Sequence, residues 1–218
     1  MIVEIWSDVM CPFCYIGKRR FEKALAGLSF GKDIQVEWKS YLLDKHLRTD
    51  PDVSYFEHLA NSKGMSVEQA RDMCQQVTDM AKEEGLNYDF DNAVVANSVS
   101  AHRLSHFAKK QGKQNDIEEL LFEAYFCHGK NIDDYSELIT IAEEVGLDKD
   151  NSNDVLVSGQ FDEDVNKDLY EAQQVGVRGV PFFVFDRKYA ISGAQPIESF
   201  DQALSKSYGE WKKEQPKL

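Results

Sequence analysis

The chain has 218 residues, 42% of them hydrophobic and 29% charged, which suits one folded soluble domain or one domain carrying an insertion. A formal net charge of −13 gives no long-range attraction for phosphate backbones or anionic bilayers, so nucleic acids and membrane surfaces are poor partners. No apolar run approaches bilayer-spanning length, and a strand pattern begins directly at Met1-Ile2-Val3, so a cytoplasmic protein is expected.

The first pattern is a strand, Ile2-Val3-Glu4-Ile5-Trp6. Cys11-Pro12-Phe13-Cys14 follows and opens a helical pattern. Ile16, Phe21, Ala24, Leu25 and Leu28 form its apolar side, and Lys18, Arg19, Arg20 and Lys23 its polar side. Gly31 closes this region. From Ile34 to Ser40 the residues alternate, with Ile34, Val36 and Trp38 on one face and Gln35, Glu37 and Lys39 on the other. The result is a βαβ unit with a CxxC at its strand-to-helix turn, the setting in which that motif reads as redox.

From about Leu42 to Ser158 helical periodicity replaces strand signals. Asp52–Asn61 is a short helix candidate. Ser66-Val67-Glu68-Gln69 reads as a capping box ahead of a stripe at Val67, Ala70, Cys74, Val77 and Ala81, ended by Gly85. Asp91–Lys110 is the next helix, closed by Gly112. Another begins at Asn115 or Asp116, with Ile117, Leu120, Leu121, Ala124 and Cys127 inward. Tyr135 to Val145 and Asp150 to Val157 complete a set of short amphipathic helices that should pack as a bundle.

The α/β character then returns. Phe161–Val175 is a helix ended by Gly176. Val180-Pro181 leads into Phe182–Phe185, and Asp186-Arg187-Lys188 turns the chain back through Tyr189–Ser192, a hairpin. A last helix carries Ile197, Phe200, Leu204, Tyr208 and Trp211, and Lys212–Leu218 reads as a frayed polar tail. The order β-α-β, helical block, α-β-β-α predicts an α/β protein: a thioredoxin-like core interrupted by an all-helical insertion. Residues 1–41 and 159–218 join into one discontinuous domain, because neither flank buries a sheet alone, and 42–158 form the insertion.

Cys11 stands just before a helix, where the dipole and unpaired backbone N–H groups favour a thiolate. Pro12 suits the first helical position because it has no N–H to leave unpaired. Phe13 is the exposed residue of the motif, and Cys14, one turn inside, is placed to resolve a mixed disulfide. Val180-Pro181 is a candidate cis bond at the start of a strand. In a thioredoxin-like core it faces the CxxC, so the Val180 backbone is available to an extended substrate while Pro181 offers no competing donor. The chain has four cysteines, Cys11, Cys14, Cys74 and Cys127, with no second close pair, which argues against a structural zinc site. Cys74 and Cys127 lie on apolar stripes and read as packing residues.

Ser7-Asp8-Val9-Met10-Cys11-Pro12-Phe13-Cys14-Tyr15-Ile16-Gly17 resembles the active-site segment of the DsbA-like thioredoxin family, in particular its cytoplasmic FrnE-type branch. Asn97–Leu104, Leu121–Phe126, Gly176–Phe183 and Ser192–Pro196 are also similar to segments of that branch, so the resemblance spans nearly the whole chain. It implies a thiol–disulfide oxidoreductase with Cys11 as nucleophile, Cys14 as resolving thiol and Pro181 as the cis-proline. No cofactor is implied beyond the redox-active Cys11–Cys14 pair, with glutathione a possible co-substrate. The related kappa-class glutathione transferases and 2-hydroxychromene-2-carboxylate isomerases usually carry Ser at the first position and lack the second Cys. A glutathione-dependent isomerase or transferase is therefore the alternative, and a chaperone-like binding module is a third.

The resemblance also places the helix bearing His102 over the active-site cleft, so His102 is a candidate substrate contact beside Val180, Pro12 and Phe13. His102 and His106 have the i, i+4 spacing of metal ligands, but no third ligand or HExxH pattern accompanies them, so no metal is expected. Glu37 or Lys39 is the candidate for a buried proton acceptor beneath the CxxC. The expected partner is a thiol- or disulfide-bearing protein or small-molecule substrate, glutathione among them, and the chain itself is expected to be a monomer or homodimer.

Overall fold

The structure is a computed structural model in which residues 1–215 are described. Strands β1 (Ile2–Ser7), β2 (Gln35–Ser40), β3 (Phe182–Phe185) and β4 (Tyr189–Ser192) form one sheet in the order β2-β1-β3-β4. β1 runs parallel to β2 and antiparallel to β3, so Ile5 sits opposite both Trp38 and Phe183. β3 and β4 pair as a hairpin. α1 (Pro12–Gly27) connects β1 to β2. The helical block comprises α2 (Tyr55–Lys63), α3 (Val67–Glu83), α4 (Val99–Lys110), α5 (Gln114–His128), α6 (Tyr135–Glu144) and α7 (Lys149–Ser158). α8 (Asp162–Val175) leads back to β3, and α9 (Ile197–Glu214) follows β4. The order is the one the sequence predicts, with a helical block inserted between two α/β flanks that share one sheet.

β1 is central and buried from Val3 onward, which explains its nearly continuous apolar sequence. Its Val3 and Ile5 belong to the same core as Phe183 and Phe185, together with residues of α1 and α9. There Phe183 meets Phe200 at 4.7 Å between ring centroids and Phe21 at 5.5 Å. Trp6 and Val184 pack instead with Ala172 and Val177, at the end of α8. The larger cluster runs on without a break through Leu104, Leu121, Phe122 and Leu138 of the helical block. The block therefore shares the sheet's core and does not keep a separate one.

Two polar links dock α5 onto this frame. The Gln114 amide donates to Trp38 O (3.0 Å) and accepts from Trp38 N (3.2 Å), pairing backbone groups of edge strand β2. The Glu119 carboxylate accepts from Lys18 at 2.5 Å, from Tyr15 at 2.6 Å and from both ends of the Arg19 fork. Lys18, expected on the polar side of α1, is in fact buried at 2% exposure. Its charge is tolerated because Glu22 and Glu119 both reach it.

Other boundaries differ from the sequence reading for local reasons. The helix expected over Asp91–Lys110 begins only at Val99. Val95 pairs with Asp50 across an isolated bridge, and the Asn97 side chain accepts from Val99 N at 2.8 Å, so this stretch spends its backbone groups outside the helix. α2 starts at Tyr55 rather than Asp52, and Val67 stands exposed at the open end of its stripe. α1 stops at Gly27, and Gly31 opens a 3₁₀ turn; a Cβ on Gly31 would lie 2.4 Å from Leu25 O, so only glycine fits there. Within the expected tail, Lys212–Glu214 continue α9, and residues 216–218 lie outside the described residues.

Burial works to raise the Glu119 pKa, but Arg19 and Lys18 outweigh it and hold the carboxyl at about 2, against an ordinary 4.5. A depressed carboxylate stabilises the fold above its unfolded pKa, and that contribution fades as pH falls from about 4.5 toward 2. Solvent still reaches the site, so the contribution is on the order of 1 kcal/mol. Glu119→Gln is expected to lose this increment at pH 7 and to show a correspondingly flatter loss of stability below pH 4.5, measured by urea denaturation across pH.

Candidate active site

β1 ends at Ser7, and the turn after it is held by Asp8. Its carbonyl accepts from Cys11 N at 2.9 Å, and its carboxylate accepts from Met10 N (3.3 Å) and from Leu43 N (2.7 Å) beyond β2. This turn delivers Cys11 to the N-cap of α1 with extended backbone and no side-chain cap, and Pro12 takes the first helical position. No acidic residue lies in the first turn of α1, so the positive end of the helix faces Cys11. Cys14 N donates to Cys11 O at 2.9 Å, which sets the two free thiols one turn apart. Phe13 points outward at 39% exposure.

The Val180–Pro181 peptide bond is cis. Across from the motif, the Cys11 thiol donates to Val180 O at 3.5 Å. Pro181 O accepts from Gly193 N at 2.8 Å, fastening this segment to the end of β4. On the side of the helical block, Tyr88 donates its hydroxyl to Pro12 O at 2.7 Å. Tyr88 also lines a cavity of about 370 Å³ with Phe56, Phe90, Cys74 and Arg71. The structure thus brings Cys11, Pro12, Cys14, Val180 and Pro181 together, with Phe13 at the rim.

Cys14 is almost wholly buried. Burial raises its pKa well above the usual thiol value, and the neighbouring Cys11 adds to this. The Ser7 hydroxyl and the Asp8 backbone act in the opposite sense. Burial likewise pushes the Cys74 thiol up to about 11, in keeping with a packing role.

His102 does not line an open groove. It is 2% exposed, with Nε2 at 3.5 Å from Asp8 Oδ1 beneath the motif turn. His106 Nε2 faces Asp168 Oδ2 at 3.0 Å and Ser40 Oγ at 3.1 Å, so the i, i+4 pair is split between two carboxylates. Among the described residues no three His, Cys, Asp or Glu side chains converge as a metal-ligand set. Glu37 and Lys39 are both engaged away from the thiols. Glu37 accepts from Lys109 at 2.9 Å, and Lys39 lies between Asp168 (3.1 Å) and Glu171 (3.0 Å). The buried carboxyl groups next to the motif turn are Asp8 and, behind His102, Glu118, neither of which the sequence reading singled out. Glu118 carried a usable signal: it falls on the inward arc of α5 with Ile117 and Leu121.

The family model described as a DSBA-like thioredoxin domain matches residues 2–205. The chain is similar to the Bacillus subtilis (strain 168) protein YwbO, 29% identical over 211 residues, covering 93% of this chain and 95% of that one. Among solved structures, a probable DsbA oxidoreductase from Streptomyces coelicolor superposes with a TM-score of 0.90 at 36% identity, covering 100% of this chain and 92% of that one. The cytosolic disulfide reductase DsbM from Pseudomonas aeruginosa shares the fold at 15% identity and a TM-score of 0.66, covering 96% of this chain and 100% of that one. So does a 2-hydroxychromene-2-carboxylate isomerase, at 16% identity and 0.71, covering 99% and 100%.

Gly17 lies on the α1 face turned toward Pro181. A Cβ there would stand 2.9 Å from Pro181 Cγ and 3.4 Å from Phe183 Cζ. Gly17→Ala is expected to push α1 off this contact, cost about 1–3 kcal/mol of stability, and change the alkylation rate of Cys11. Urea denaturation and iodoacetamide kinetics measure both effects; a variant indistinguishable from wild type in both would show that the packing there is slack.

Proposed function

The chain belongs to the DsbA-like thioredoxin-domain family, and we propose that it is a thiol–disulfide oxidoreductase working through Cys11 and Cys14 by a mixed disulfide. The observation that carries this reading is the pair itself. Two free thiols stand one helical turn apart, the outer one at the N-terminus of α1 and against the Val180 carbonyl. Membership of the family supports a thiol or disulfide as the substrate.

In this reading the Cys11 thiolate attacks one sulfur of a client disulfide. A Cys11–client disulfide forms, and the other client sulfur leaves as a thiolate that takes up a proton. Cys14 then loses its proton and attacks Cys11 Sγ. The client's second thiol departs, and the Cys11–Cys14 disulfide remains. Two molecules of glutathione, or of a similar small thiol, reduce that disulfide in two further exchanges and leave as their own disulfide. In a reducing, cytoplasmic setting this cycle runs toward reduction or isomerisation of client disulfides. Val180, Pro12 and Phe13 border the reacting sulfur and are the proposed substrate contacts, with the cavity beside Tyr88 open to a neighbouring client side chain.

The two cysteine variants separate the readings. Cys11→Ser is expected to abolish disulfide reduction. Cys14→Ser is expected to complete the first exchange and then stall, accumulating an adduct on Cys11 visible by intact mass. Activity surviving in Cys11→Ser would overturn the assignment. Full turnover in Cys14→Ser would favour a glutathione-dependent isomerase or transferase.

A further inference from the structure

Among the described residues, five buried side-chain polar atoms have no hydrogen-bond partner: Ser7 Oγ, His102 Nε2, Glu118 Oε2, Tyr125 OH and Ser207 Oγ. Two of them border Asp8: Ser7 precedes it at the end of β1, and His102 Nε2 lies 3.5 Å from its carboxylate. A buried imidazole set against a buried carboxylate beneath a turn that carries two thiols is placed to affect their charge. The loop above them is the one that presents Cys11 and Cys14, and Asp8 is bonded directly to it.

We propose that His102 is a positioning residue for the dithiol reaction: set between Asp8 and Glu118 beneath the CPFC turn, it supplies the positive charge that lets buried Cys14 release its proton when it resolves the mixed disulfide. The proposal deepens the oxidoreductase reading and rests on it. The carboxylate of Asp8 ties the turn to Leu43 and Met10, so one negative charge already sits in the turn that gains a second when Cys14 ionises. An imidazolium against that carboxylate removes the conflict.

The surrounding charges agree. Burial works against a charged His102, but Asp8 from the turn, Glu118 from α5 and Asp168 from α8 outweigh it and raise its pKa. Glu118 is pushed up by burial, while His102, Ser105, Lys18 of α1 and His106 of α4 pull it back in part. The carboxyl groups facing His102, Asp8 nearest among them at 3.5 Å, thus favour its protonated form. In the resolving step no further reactant is needed: the proton leaves Cys14, the Cys14–Cys11 bond forms as the Cys11–client bond breaks, and the departing thiolate is protonated.

The test uses the full-length reduced protein and 5,5′-dithiobis(2-nitrobenzoate). Attack by Cys11 releases one coloured thiolate and resolution by Cys14 releases a second, so a stopped-flow trace separates the two steps. His102→Gln is expected to move the pH midpoint of the second release upward by about 1 unit or more, a tenfold loss of rate below the midpoint. His102→Lys, which keeps the charge, is expected to move it back toward wild type. A second-release midpoint unchanged in His102→Gln overturns the proposal, even if the variant is less stable. Should neither variant fold, wild-type protein suffices: the rate of the second release must fall with the deprotonation of His102, followed in parallel by NMR of its imidazole. A second release whose rate is indifferent to that titration overturns the proposal. A wild-type trace with no second release would sink the oxidoreductase reading instead.

Discussion

The contact on which the site depends is the one between the Cys11 thiol and the Val180 carbonyl, residues 169 apart in the chain. It exists only because β1 pairs with β3, so that the turn leaving one strand lies beside the segment that starts the other. A helical block of more than a hundred residues separates these strands in sequence. Closing so long a loop costs entropy that grows slowly with length, and the shared core of sheet and helices offsets it. The placement of the Cys11 thiol is therefore a product of the whole fold, even though the motif carrying it is only four residues long.

The helical block does more than bridge the flanks. Through Gln114 it pairs the edge of β2, through Glu119 it neutralises Lys18 and Arg19 on α1, and through Tyr88 it bonds Pro12 within the motif. Through His102 it places an imidazole 3.5 Å from the Asp8 carboxylate. Every one of these links converges on α1, on the strands beneath it or on the turn before it. The chemistry of the thiols is consequently set by two parts of the chain at once: the α/β core fixes where the sulfurs are, and the insertion fixes the charges around them.

The fold was legible where a pattern is local. Alternation marked β2, periodicity marked most helices, and the Ser66–Gln69 capping box is present as a reciprocal pair of hydrogen bonds. The one-turn spacing of Cys11 and Cys14 and the cis Val180–Pro181 bond were legible because each is written in adjacent residues. Lys18, Asp8 and His102 were not, for a common reason. Each is a polar residue whose burial is decided by a partner far away in sequence: Glu119 for Lys18, Leu43 for Asp8, and Asp8 for His102. Periodicity reports which face is apolar and cannot report that a distant charge will cover a polar one. The late start of α4 follows the same logic, since Val95 is withdrawn from the helix by Asp50.

The central claim is that Cys11 and Cys14 cycle as one couple. It is tested most directly by equilibrating the protein in glutathione buffers of graded ratio and mapping the oxidised species by mass spectrometry. A single two-electron transition whose oxidised form joins Cys11 to Cys14 is the predicted result. An oxidised form carrying glutathione on Cys11, with Cys14 still a free thiol across the range, would contradict it.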